Sequence, residues 1–501
     1  MNRATAALVG VLGVAAALAA GHLVAGLVGP SASPFLAVGN TAIDLAPSGL
    51  KDFAVRAFGT HDKLVLLLGM AVVLLGAAVG AGLLSRRSPL PGTVLAVVLG
   101  LLGVAAVLYR PDLGQLGVLA PATALAVGVA AFRLLHARAE HPAEHPAGRR
   151  AFLVAAGATA AGAGVAALVG QAAGGRVDVE ASRRAVGPPT PASPAPPVPP
   201  GADFAAEGTP TFLTPNADFY RIDTALTVPR LRAEDWSLRV HGLVDRELTL
   251  GYADLRGRDL VERTVTMVCV SNEVGGPYIS TANFVGVPLR DVLLEAGVRA
   301  GADQLFSTSS DGWTAGCPVD VVLEPDRGAL IALGMNGEPL PPEHGFPARL
   351  VVPGLYGYVS ATKWVVDLEL TTFDARRGYW LDRGWARRAP VKVMSRVDRP
   401  ERGSTVTGRV VAAGVAWAPP TGVERVEVRV DGGPWRTAAL ADEVSGATWR
   451  MWRVELTGLA PGGHTIEARA TDRSGFTQPQ ARVAPVPDGA TGWHSVFFTV
   501  A

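Results

Sequence analysis

Five apolar stretches, each close to the ~20 residues that cross a bilayer core, crowd the first third of the chain at about residues 6–27, 64–84, 93–109, 116–134 and 152–169. A segment of that kind has to bury its backbone polar groups internally, so the first 174 residues are expected to form a bundle of about five transmembrane helices. Their Ala, Val, Leu and Gly content suits close helix–helix approach. With five spans, Arg3, the pair Arg86 and Arg87, and the loop carrying Arg133, Arg138, Arg149 and Arg150 fall on one side. The positive-inside rule makes that side cytoplasmic and puts the rest of the chain outside a cell membrane crossed several times. Lys51, Arg56 and Lys63 fall on the outer side, accompanied by Asp52 and Asp62. Gly148-Arg149-Arg150-Ala151-Phe152-Leu153, ahead of the last stretch, resembles a twin-arginine export signal as much as an ordinary positive-inside anchor.

Composition shifts near residue 175. Residues 175–208 are rich in Pro and Ala and are expected to be a linker, with 188–200 in extended polyproline geometry at about 3.1 Å per residue. Residues 209–388 mix short alternating strands, such as Ser237-Leu-Arg-Val-His-Gly242, with one good helix at 289–296, which is an α+β pattern. Asn336-Gly337 between apolar flanks signals a hairpin. Residues 389–501 hold alternating strands separated by turn residues, among them the turn Asp431-Gly-Gly-Pro-Trp435, and are expected to form an immunoglobulin-like β-sandwich. The formal charge of +1, with 18% charged residues, argues against a nucleic-acid partner, which needs cations to neutralise phosphates.

Cys269, in Thr266-Met-Val-Cys-Val-Ser-Asn-Glu273, is one of only two cysteines, so neither a disulfide scaffold nor a four-ligand zinc or iron–sulfur site can be built. It sits where an apolar strand meets a polar turn. The residues leave three readings open: a soft ligand to a metal brought in by a cofactor, a nucleophile, or an inert core thiol. A hydrolase nucleophile would want a histidine base, and no pattern identifies one. Cys317, in Gly316-Cys-Pro318, is expected to be a buried structural thiol.

Two further segments stand in order around the cysteine: Thr214-Pro-Asn216-Ala-Asp-Phe219-Tyr220-Arg221, and His344-Gly-Phe-Pro-Ala-Arg349 leading to Ser360-Ala-Thr-Lys363-Trp364. With the cysteine turn, they resemble the sulfite oxidase family of molybdopterin enzymes. The resemblance implies a molybdopterin-binding α+β domain followed by a dimerisation-type domain, and hence a possible homodimer. It implies Cys269 as the protein ligand of molybdenum. Asn216, Phe219, Tyr220, Arg221, His344, Arg349, Ser360 and Lys363 would contact the cofactor. Arg349 and Lys363 suit its phosphate by chemistry, one as a planar fork and the other as a point charge.

Catalytic candidates beside the metal are Asp311, which matches an aspartate near the family's substrate pocket, Glu273, and Trp385, which falls where those enzymes carry a tyrosine. The implied reaction is oxygen-atom transfer on a small substrate. Electrons would go to a separate cytochrome or quinone-linked partner, since there is no Cys-x-x-Cys-His haem motif. Cys269-Val-Ser-Asn-Glu273 carries a carboxylate where animal and plant sulfite oxidases carry paired arginines, and Pro215-Asn216-Ala217 stands for their Arg-Asn-His. Both departures disfavour sulfite as substrate. The alternative is a metal-free binding or assembly protein that retains the fold.

Overall fold

The computed structural model describes residues 1–58, 61–110, 113–140, 146–175 and 177–501. It divides into two compact units, Met1–Asp178 with Thr224–Val228, and Val179–Asp223 with Pro229–Ala501.

The first unit is helical. Arg3–Val28, Asp62–Leu84, Leu90–Tyr109, Leu119–Glu140 and Pro146–Gly174 correspond to the five apolar stretches, and five helices are long and apolar enough to cross a membrane. Small residues let them touch: a Cβ on Gly10 would lie 2.0 Å from the Ala78 carbonyl oxygen, and one on Gly82 2.1 Å from that of Ala6. Two shorter helices, Pro34–Leu45 and Ser48–Phe58, were not expected in the first connection. Each is too short to span a bilayer at 1.5 Å per residue, so a length-based reading passes over them. Thr224–Val228, within the expected α+β domain, belongs to this unit; the Leu226 amide donates to Asn40 Oδ1 at 3.3 Å.

The second unit begins with a correction. The Pro-rich stretch expected to be an extended tether is instead docked. Val179–Val186 is a helix whose Arg183 donates to the Leu340 and Pro339 carbonyls, at 2.9 Å each. Farther on, the Ala192 amide donates to Leu260 O at 2.8 Å and the Glu262 amide to Ser193 O at 2.9 Å, so Ser193 pairs with Val261. A proline-rich chain keeps its carbonyls available, and here it covers the start of an otherwise open strand edge.

Two sheets make the α+β part. One orders Leu248–Gly251, Ser237–Gly242, Val365–Thr371, Gln304–Ser309 and Thr314–Pro318. The other orders Val261–Val268, Ile279–Pro288, Leu330–Met335 and Glu338–Pro339, with Arg349–Val351 also pairing Leu330–Met335. The helix Leu289–Ala296 lies where periodicity put it. Asn336 and Gly337, at φ of 50° and 82°, turn the expected hairpin, because a tight two-residue turn between twisted strands needs left-handed backbone at both positions.

The C-terminal part is β-rich. One sheet orders Met394–Arg399, Val410–Trp417, Arg450–Leu456 and Ala439–Leu440; the other orders Thr405–Val406, His494–Val500, Gly462–Asp472, Val423–Val430 and Arg436–Thr437. Alternating residues from both meet in one core that includes Trp452, Val426, Ile466 and Phe498, all fully buried. Full burial of such a side chain contributes about 1.5–3 kcal/mol.

Candidate functional site

Strand Val261–Val268 ends at Cys269, and the chain then makes a closed loop. The Cys269 amide donates to Tyr278 O at 3.0 Å, and the Asn272 amide donates back to Cys269 O at 3.0 Å. Asn272 Oδ1 accepts from the Tyr278 amide at 2.9 Å, tying the two ends from inside. These three bonds are local, so the base of the loop that carries Cys269 is closed by its own backbone and by Asn272. Burial pushes its thiol up, opposed only by hydrogen bonds from Ser271. The Tyr220 and Tyr356 phenols feel the charge of the Cys269 thiolate, and burial raises both, Tyr356 to about 12. Each therefore stays protonated and able to donate. Gly357 lies beside them, where a Cβ would make ordinary contact with Ala361 Cβ at 3.6 Å, Tyr220 Oη at 3.8 Å and Val268 O at 3.9 Å.

A second wall is cationic. Arg349 is 4% exposed and donates only to backbone carbonyls, of His344 at 3.2 Å and of Leu350 and Ala361 at 3.4 Å each. Among the described residues no carboxylate meets it. Burial lowers its guanidinium to about 10, with the Tyr220 phenol acting in the opposite sense. Lys363 donates to Asp223 at 2.6 Å and to Glu343 O at 3.1 Å; burial lowers it to about 8 against the pull of Asp223, with Arg349 and Arg221 pushing the same way as burial. Asp223 is shared with Arg221, at 2.8 Å. Lys363 and Arg221 thus share Asp223, while Arg349 beside them is met by carbonyls.

His344 completes this wall. Burial first, and then Arg349, Lys363 and Arg221, bring it to about 4, so the ring is neutral near pH 7. Nε2 lies 3.0 Å from Asn216 O, which assigns the proton to Nε2 and leaves Nδ1 as an acceptor. Phe219 packs edge-on against this ring at 5.4 Å and against Phe284 at 6.2 Å, setting its plane.

A buried guanidinium without a counter-charge is costly unless an anion arrives, and a fork plus a point charge is the arrangement that binds phosphate. The profile of a family described as "Oxidoreductase molybdopterin binding domain" matches residues 225–380. Sulfite oxidase of Gallus gallus is 32% identical over 347 residues, 59% of this chain and 74% of that one.

This chain belongs to the sulfite oxidase family of molybdopterin oxidoreductases.

Mitochondrial sulfite oxidase of Macaca fascicularis is 30% identical over 58% of this chain, which spans 63% of that protein's length. Among solved structures, the sulfane dehydrogenase SoxCD from Paracoccus pantotrophus matches 60% of this chain and 85% of its own, at 22% identity and a TM-score of 0.49. The cofactor of this sulfite oxidase family member is molybdopterin with molybdenum. The residues present fit it: an uncompensated buried cation, a second cation and a neutral imidazole acceptor lie on one wall, and a soft thiol on the other.

The structure separates the candidates from sequence. Arg221, His344, Arg349 and Lys363 come together, with Tyr220 between them and Cys269. Asn216 does not offer its side chain: its amide donates to Met335 O and Glu338, and its Oδ1 accepts from Asn336. It serves the hairpin, and only its backbone carbonyl reaches the site. The Ser360 hydroxyl donates to the Leu355 and Tyr356 carbonyls of its own turn. Phe219 is a packing residue.

Glu273 is exposed, on the outer side of a loop whose backbone bonds turn inward. Asp311 Oδ1 accepts from the Trp313 amide at 3.2 Å, within the turn joining two strands. Trp385 is buried between Tyr358, at 5.6 Å, and Trp380, at 6.1 Å. Cys317 lies in a strand and is 1% exposed, its thiol raised by burial to about 12; both cysteines are free.

Sequence reasoning missed Asp223, Tyr356 and Asn272. Asp223 follows Arg221 by two, the spacing that puts both on one side of an extended chain. Asn272 is the kind of residue that closes turns through its own backbone.

Proposed function

We propose that this protein is a membrane-anchored oxidoreductase in which Cys269 is the protein ligand of molybdenum and Arg349, Lys363, Arg221 and His344 hold the anionic part of the cofactor. The observation that carries this reading is Arg349, a buried cation with only carbonyl partners, on the wall next to Tyr220 and Cys269. The cofactor supplies two-electron oxygen-atom transfer. The protein's own groups bind and orient: Arg349 and Lys363 neutralise phosphate, His344 Nδ1 accepts from a ring N–H, and Asp223 keeps Lys363 charged. Tyr220 and Tyr356, neutral donors beside the thiolate, hold the oxygen of a small substrate, and Asp311 and Trp385 line its approach.

Two phenol donors, with Arg349 acting on Tyr220 from the cofactor wall, offer a substrate neutral donors in place of the paired arginines that sulfite would need. The Cys269 turn itself carries Glu273 and no arginine or lysine between residues 269 and 278, so it adds no counter-charge for an anion.

The five long apolar helices anchor the chain in the cell membrane, and Arg149 and Arg150 act as an internal twin-arginine signal that carries the folded second unit outside. Electrons leave to a separate cytochrome or quinone-linked protein. The C-terminal sheets form an immunoglobulin-like domain that pairs two copies.

Elemental analysis of the purified full chain, wild type against Cys269→Ser from a host that makes the cofactor, tests the reading. About one molybdenum per wild-type chain is expected from one thiolate ligand per site, with an altered electronic spectrum in the variant. Well-folded wild-type protein without molybdenum despite ample cofactor supply would remove it.

A further inference from the structure

The loop that begins at Cys269 is closed at its base by its own backbone, yet its far end leans on the C-terminal sheets. Arg396, on strand Met394–Arg399, is 9% exposed and donates from Nη1 to Gly276 O at 3.0 Å. Its Nε donates to Asp398 Oδ1 at 2.6 Å. Asp398 stands two residues on, hence on the same face of the strand. The second carboxylate oxygen of Asp398 is buried and has no partner, so the pair is not there to satisfy Asp398; it aims the guanidinium.

A second support lies alongside. The His494 ring accepts from the Val397 amide through Nδ1, at 2.9 Å, and its other edge meets Gly275, where a Cβ would come within 2.2 Å of Nε2. Gly275 is at φ +83°, so only glycine both adopts this backbone and admits the ring. The strand entering Cys269 is held from the same side: the Thr266 amide donates to Ala447 O at 3.1 Å, and the Trp449 amide to Thr266 Oγ1 at 2.7 Å.

We propose that Arg396 is a positioning residue for Cys269: by gripping Gly276 O, with His494 against Gly275, the C-terminal sheets fix the loop and so the direction in which the thiolate meets the metal. The proposal rests on the reading of Cys269 as the metal ligand. The guanidinium is required because one group must bond Asp398 Oδ1 and Gly276 O in two directions at once. A lysine ammonium at the end of a flexible stem cannot hold both directions, and the outer partners of metal ligands commonly tune the ligand through orientation.

The test uses the full chain as Arg396→Lys and Asp398→Asn, with Cys269→Ser in parallel. In cofactor-free protein, amide hydrogen exchange across residues 269–278 should quicken about tenfold in Arg396→Lys and less in Asp398→Asn, while the strands of the C-terminal sheets exchange at wild-type rates. In loaded protein, both variants should keep their molybdenum but shift the thiolate-to-metal absorption bands, and turnover should fall about tenfold, the low end of what outer partners of metal ligands contribute. Wild-type exchange and an unshifted spectrum in Arg396→Lys would overturn the proposal, as would a loss of thermal stability with no change at the loop. A wild-type spectrum in Cys269→Ser would remove the underlying reading and the proposal with it; a shifted Cys269→Ser spectrum beside unshifted Arg396 and Asp398 variants would remove the proposal alone.

Discussion

The two walls of the site are built on opposite electrostatic plans. Around Arg349, Lys363 and Arg221, cations outnumber carboxylates, and burial lowers Arg349 to about 10 and Lys363 to about 8. Around Cys269, desolvation is the largest cause: the thiol and both phenols are raised, and each is neutral at pH 7. Excess buried charge is tolerated only where a ligand supplies the opposite sign, and neutral donors are kept where an ionised group would bind water or the wrong anion. In the function proposed above, the cationic wall serves the cofactor and the neutral wall serves what reacts.

The contrast breaks most sharply at Arg349. In Arg349→Met, loss of a buried charge partner should weaken cofactor retention by about 3 kcal/mol, roughly a hundredfold, read as molybdenum content after dialysis. In cofactor-free protein the same substitution should raise stability by about 1–3 kcal/mol, because a desolvated cation without a carboxylate has been removed. Chemical denaturation gives the sign. A loss of stability in the cofactor-free state would mean that the three carbonyls already satisfy Arg349, and the cationic wall would no longer imply an anion.

Lys363 sharpens the comparison through pH. Its folded value of about 8 lies below the ordinary 10.5, so the ammonium loses its proton well before a free lysine would. Charge on Lys363 favours phosphate. Affinity for inorganic phosphate in the cofactor-free chain should therefore hold up to about pH 8 and fall about tenfold by pH 9 through loss of that charge. Titration calorimetry checks this, and Lys363→Arg should flatten the profile. For stability the sign is the reverse: the unfolded chain binds the proton that the fold gives up, so stability rises with pH between about 8 and 10.5.

Cys317 isolates burial from function. It shares with Cys269 a desolvated thiol, yet it sits mid-strand opposite Leu305, with no loop to present it. Cys317→Ser should cost about 1–3 kcal/mol, the price of a hydroxyl in an apolar slot, measured by thermal unfolding, and should leave molybdenum content unchanged. A fall in molybdenum would erase the distinction between the two cysteines.

What could be read in the sequence divides along the same lines. Elements governed by local rules were legible: the long apolar helices, the 289–296 helix, the Asn336-Gly337 turn, and the motif residues His344, Arg349 and Lys363. What depends on tertiary partners was not. Nothing local says that the prolines at 188–200 follow a strand edge, since the same composition serves a free linker. Asn216 and Ser360 carry side chains able to touch a ligand, and only the fold shows those side chains bonded to a hairpin and to their own turn. Asp223 was in plain view, but its pairing with Lys363 spans 140 residues. Arg396 lay in what seemed a separate domain.

The smallest effect is expected at Glu273, and it tests the neutral wall directly. The residue is four positions from Cys269 and was a candidate for proton transfer, but its side chain is exposed, where solvent screens it and a proton would pass as readily to water. The loop's inward hydrogen bonds use its backbone, since its carbonyl accepts from the Gly276 amide at 2.9 Å. Glu273→Gln preserves that bond and removes only the charge. Turnover at saturating substrate should change less than about twofold, and its dependence on pH between 5 and 8 should match wild type, because no essential proton is moved by a group that solvent can replace. A tenfold loss confined to turnover, with molybdenum content and spectrum intact, would instead place Glu273 in the proton path, and the wall around Cys269 would then contain one charge that works.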